Sequence, residues 1–186
     1  MAQVSRHSVP TVSEKFTDGQ TESGDTVRWR TRVELQNESL DALSVRPHVA
    51  HPSCGAVARF DGTTRDFFSG KQVLRLEYEA YSSMAVSQMH ALCDQARAKW
   101  PSLGHIAVWH RLGECPVMET SIVVAVASPH REEALAALTW LVDELKASVA
   151  VWKKECYADG SVWKSNKEFD PTRCACGRAR ASRSSD

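Results

Sequence analysis

The chain has 186 residues, 42% of them hydrophobic and 25% charged, which suits one domain with a proper core and excludes a largely disordered protein. Lysine plus arginine equals aspartate plus glutamate at 23 each, and this zero net charge excludes a broad phosphate-neutralising surface for nucleic acid. No apolar run is long enough to span a membrane, the first residues lack the apolar core of a secretory signal, and six cysteines without a CxxC pair point to reduced thiols in the cytosol.

Residues 1–25 are polar and aperiodic and read as a flexible tail; 26–170 read as the folded domain, and 171–186, small, basic and serine-rich, as a second tail. Val27–Leu35 alternates as a strand, with a short helix expected from near Ser39. Cys54–Phe60 is an apolar strand stopped by the Asp61-Gly62 turn signal, and Gln72–Tyr81 alternates at period two and is expected to pair with it across a long loop. Ser83–Trp100 has helical spacing at Met84, Met89, Leu92, Cys93 and Ala96, and Pro101 closes it. Strands follow at Ile106–His110 and Ser121–Ala127, with a turn around Gly113 between them. A helix is expected over 129–146, with Ser128 as N-cap, Pro129 at its first position, and a stripe of Leu135, Leu138, Leu141, Val142 and Leu145. Val149–Cys156 reads as a last strand before a polar tail containing Trp163. The mixture lacks a βαβ rhythm, so the fold class is α+β, a mainly antiparallel sheet with packed helices.

Three places carry chemistry. His130 and Arg131 stand at a helix start, where the dipole disfavours cations unless an anion is bound; the same residues also fit a solvated helix end offset by Glu132 and Glu133. Lys146 lies in the last turn of that helix, and Lys153 and Lys154 in the strand beyond. Alternation sends the latter two to opposite faces, so at least one can line a pocket as nucleophile or proton carrier; the alternative is an edge strand kept soluble by lysines. The segment FDGTTRDFFSGK (60–71) serves either as a phosphate cradle ending in Arg65 or as a plain hairpin loop. His48, His51 and Cys54 lack a further ligand pair at structural-zinc distance, so no metal or cofactor is expected.

Together, FDGTTR (60–65), LEYEAY (76–81), KWP (99–101), IAVWHRLG (106–113), ASPHR (127–131), LK (145–146), VWKKE (151–155) and WKSNKE (163–168) resemble, in order and spacing, the molybdopterin synthase catalytic subunit family, most closely its eukaryotic branch. The resemblance covers roughly residues 50–170 and implies an α/β hammerhead-type fold. It also implies a homodimer carrying two small ubiquitin-like subunits, a 2:2 heterotetramer. Each small subunit would offer a thiocarboxylated Gly-Gly C-terminus, whose sulfur goes to cyclic pyranopterin monophosphate to build the dithiolene of molybdopterin. By matching motif, Thr63, Thr64, Arg65, His130 and Arg131 would bind the pterin substrate, Lys146 and Lys153 would be catalytic, and Lys154 and Glu155 would line the same site. Ala150 stands where the family often has proline, and Ser148 where a basic residue is common. A docking protein that holds a ubiquitin-like partner without chemistry is the alternative, and intact lysines and an intact His-Arg pair weigh against it.

Overall fold

The computed structural model describes residues 10–164. The part of the WKSNKE string beyond Lys164, Cys174, Cys176 and the expected C-terminal tail lie outside that range, as do residues 1–9. In chain order the elements are β1 (Thr11–Gln20), β2 (Thr26–Gln36), a 3-10 turn (Ala42–Val45), α1 (Arg46–Val49), β3 (Ala56–Thr63), β4 (Phe67–Phe68), β5 (Lys71–Ala80) and α2 (Ser82–Lys99). They continue with β6 (Ile106–Arg111), β7 (Gly113–Pro116), β8 (Thr120–Ser128), α3 (Arg131–Ser148), β9 (Val151–Tyr157) and β10 (Gly160–Lys164).

Two sheets result. The first has strand order β1-β2-β6-β8-β3; only β2 and β6 run parallel. Its central strands are buried on both faces, which is why β6 and β8 read as nearly unbroken apolar runs. Val33, Ile106, Val108, Val124 and Val126 face α2 and α3, meeting Met89, Leu92, Leu138 and Leu141. Ala107, Trp109, Val123 and Ala125 face the other way, under Val45 and Val49 of the short helical segment. Each fully buried Leu, Met or Val contributes roughly 1.5–3 kcal/mol of burial free energy, so this double-sided core is what fixes the platform. The second sheet has order β10-β9-β5-β4, with β7 also paired to β5. The α+β, mainly antiparallel class is as expected, and no helix among the described residues is long and apolar enough to cross a membrane.

Four expectations need correction. Thr11–Gln20, read as part of a tail, is a full edge strand pairing with β2 from Thr11↔Leu35 to Gln20↔Thr26. Its side chains are nearly all exposed, so its own pattern is weak and the β2 edge supplies the register. Asp61-Gly62 does not turn the chain: β3 runs on to Thr63, and Gly62 is required because a Cβ there would lie 2.6 Å from Ile122 Cγ2. β3 pairs with β8, not with β5, whose partners are β4, β7 and β9. Finally, β8 extends through Ser128, paired to Ala56, so α3 starts later with His130 at its N-cap position.

Candidate active site

β3 and β8 place the candidate residues at two ends of the first sheet. Their register runs from Ala56↔Ser128 to Thr63↔Thr120. That is roughly 23 Å at about 3.3 Å per residue, so Thr63–Arg65 and His130–Arg131 stand far apart in one chain. From His130, α3 packs along β3 and β8 and returns over 18 residues. At 1.5 Å per residue this is about 27 Å, which brings Lys146, exposed in the last turn, back to the Thr63 end.

The Thr63–Arg65 end is held tightly. The ladder slips between Gly62↔Ile122 and Thr63↔Thr120, leaving Ser121 as the extra residue of a bulge, and its hydroxyl donates to the Gly62 carbonyl at 3.1 Å. Thr64 is buried; its amide donates to the Glu119 carbonyl (3.1 Å), its carbonyl accepts from the Met118 amide (2.8 Å), and its hydroxyl donates to the Cys115 carbonyl (3.2 Å). Burial raises the pKa of the adjoining Cys115 thiol. Arg111 is ion-paired with the Glu119 carboxylate. Arg65 itself is exposed, its guanidinium 4.5 Å from the Phe68 ring centroid.

β9 supplies the neighbouring wall. Alternation puts Lys153, Glu155 and Tyr157 on one face and Lys154 and Cys156 on the other, as the sequence requires. The Lys153 ammonium lies 3.5 Å from Glu155 Oε1, and the Tyr157 hydroxyl donates to the other oxygen of that buried carboxylate. Lys154 instead donates to Glu77 Oε2 at 3.3 Å. The Arg75 guanidinium bound to Glu77, helped by the Cys156 thiol, holds that carboxyl below the usual range. Lys153 and Glu155 therefore share one face, and Lys154, expected to line the same site, points to the opposite one.

Lys153 stands opposite Tyr78 of β5. The Tyr78 hydroxyl donates to Ser121 Oγ at 3.2 Å, and the ring meets His110 edge-on at 4.9 Å between centroids. Burial pushes the Tyr78 phenol up to about 12 and His110 down to about 4. Sequence reasoning missed Tyr78, Ser121 and Tyr157. The i, i+2 spacing of Lys153, Glu155 and Tyr157 was a readable signal for the last of these; Tyr78 needed the strand pairing.

The last turn of α3 and the connection beyond it carry the two departures from the family pattern. The Ala150 amide donates to the buried Gln88 Oε1 at 2.8 Å, a bond proline lacks the hydrogen to make, and the Ser148 hydroxyl donates to the Glu144 carbonyl at 2.8 Å. Side-chain hydrogen bonds thus fix the connection between Lys146 and Lys153. At the far end, His130 Nε2 lies 2.7 Å from Glu22 Oε1, both exposed, and Arg131 is exposed beside it. A cleft of about 670 Å³ opens there, lined by Glu22, Trp29, Asp94, Arg97 and Pro129. Among the described residues no group of three or more potential ligands could hold a metal.

Residues 35–148 match the sequence profile of the family described as MoaE protein. The molybdopterin synthase catalytic subunit of Culex quinquefasciatus is 54% identical over 139 residues, covering 73% of this chain and 88% of that protein. The crystal structure of molybdopterin synthase from Staphylococcus aureus superposes with a TM-score of 0.68 at 32% identity, covering 70% of this chain and 95% of that one. A protein–protein complex of subunits 1 and 2 of the molybdopterin-converting factor from Helicobacter pylori contains a chain of the same fold, with a TM-score of 0.59 at 14% identity, covering 74% of this chain and 92% of that one.

Proposed function

The chain belongs to the MoaE family of molybdopterin synthase catalytic subunits, and from that premise we propose that it is the sulfurtransferase acting on cyclic pyranopterin monophosphate. The sulfur comes from the thiocarboxylated Gly-Gly C-terminus of a small ubiquitin-like subunit, and the product is the dithiolene of molybdopterin. The observation that carries this reading is the link, through Tyr78 and Ser121, between the Lys153–Glu155–Tyr157 file of β9 and the pinned Thr63–Arg65 segment, with α3 returning toward that end of the first sheet at Lys146. Lys153, oriented by a buried carboxylate, stabilises negative charge on thiocarboxylate and substrate as sulfur is transferred. Lys146, on the exposed last turn, is placed for proton transfer.

The cyclic phosphate needs a cationic binding site, and His130 with Arg131 at the start of α3 offers one. These two lie at the other end of the sheet from the lysines, which favours a homodimer in which the lysine end of one protomer meets the His130 end of the next. A small subunit on each protomer completes the 2:2 assembly, working in the cytosol.

Mixing the purified chain with thiocarboxylated small subunit and cyclic pyranopterin monophosphate tests the reading through the molybdopterin formed. Lys146→Ala and Lys153→Ala each reduce turnover by roughly 10²–10³-fold, the loss typical of one preorganised electrostatic group. Lys99→Ala, whose ammonium sits over Trp100 at the end of α2, stays within a few-fold of wild type. No product from the wild-type chain, with the small subunit bound, would make it a docking protein. Near-full activity in both lysine variants would place the chemistry elsewhere.

A further inference from the structure

We infer that Tyr78 is a positioning residue that ties the lysine strand to the substrate-binding segment Thr63–Arg65, acting through the hydroxyl of Ser121. The inference rests on the proposed role of that segment. The bulge in β8 is its foundation. Where the register slips, β3 loses the regular ladder just before Thr63, and the extra residue, Ser121, presents a hydroxyl in place of the missing regularity. That hydroxyl donates to the Gly62 carbonyl at 3.1 Å, so its own lone pairs are left for another donor. Tyr78 is that donor, at 3.2 Å.

Tyr78 is also directly opposite Lys153 on the same face of the second sheet. One side chain therefore spans from the β5–β9 pair to the β8 bulge, whose Ser121 hydroxyl carries the link on to the end of β3. Its ring is fixed by the edge contact with His110, and its phenol, pushed up to about 12 by burial, remains a donor throughout the neutral range. From the other side, the Glu119 carbonyl and the Met118 amide hold Thr64. Removing the Tyr78 hydroxyl leaves that second clamp in place. The expected effect is a segment that keeps its fold but presents Arg65 less well to an anion.

The test uses the full chain with thiocarboxylated small subunit, reading KM for cyclic pyranopterin monophosphate against kcat. Tyr78→Phe and Ser121→Ala each raise KM about 3- to 10-fold, the factor matching one neutral hydrogen bond, with kcat within about twofold of wild type. Because the two hydroxyls act in series, the double variant is no worse than the more affected single one. Arg65→Ala is run alongside and raises KM on its own. Wild-type KM in both hydroxyl variants while Arg65→Ala raises it overturns the positioning role alone. Effects that multiply in the double variant overturn it too. A wild-type KM for Arg65→Ala removes the substrate-binding role of the segment, and this inference with it.

Discussion

His110 lies inside the first sheet with Nδ1 against the Arg111 carbonyl at 2.7 Å, and burial lowers its pKa to about 4. His105 is lowered to about 4 as well, first by burial and then by the Arg30 charge, but it is partly exposed and its effect is screened. An unfolded histidine titrates near 6.5. Between that value and about 4 the unfolded chain binds protons that the folded chain refuses, so stability is full above pH 6.5 and drains away as pH falls through this window. His110 alone costs on the order of 1 kcal/mol per pH unit there. Glu77, held low by Arg75, begins to lose its contribution only as pH falls through the ordinary carboxylate value, at the foot of the window. Melting temperature should therefore drop between pH 7 and pH 5; a flat profile would show that these rings accept protons in the native state.

α3 shows what a periodic pattern fixes and what it leaves open. The helix was legible from the apolar spacing, yet the expected stripe included Leu135, which is exposed. The buried face is Ala134, Ala137, Leu138, Leu141, Val142, Leu145 and Ser148, one stripe at helical spacing, joined by Ala147 in the last turn. Small residues hold it because α3 packs closely on β3 and β8. Ala contributes little to a hydrophobicity reading, so the larger Leu135 displaced it. Leu141→Ala should cost about 2–5 kcal/mol, while Leu135→Ala should stay within about 0.5 kcal/mol, both read by chemical denaturation. Comparable losses at the two positions would rotate the helix from its assigned face. β1 illustrates the opposite failure: an exposed edge strand with few apolar residues is specified by the neighbour it pairs with, which alternation within its own sequence cannot reveal.

Across the whole molecule, the sequence named candidate residues through motif resemblance but could not say how they are arranged. Alternation correctly separated Lys153 from Lys154, and helix length placed Lys146 one connection away from Lys153. The pairing of β3 with β8 was not legible, because period-two runs announce strands without announcing partners. That pairing is what puts Thr63–Arg65 and His130–Arg131 at opposite ends, and it turns a list that looked like one site into two halves. The proposed dimer joins them, so each of its two sites draws its lysines from one protomer and its anion-binding pair from the other. The most direct measurement is activity of hybrid dimers, purified with two tags after co-expression of Lys153→Ala and Arg131→Ala chains. Each variant alone gives a dimer with both sites damaged. The hybrid keeps one intact site, and its molybdopterin formation should recover to about half the wild-type rate per dimer. Hybrid activity no higher than that of the two parent variants would contradict a site shared between protomers.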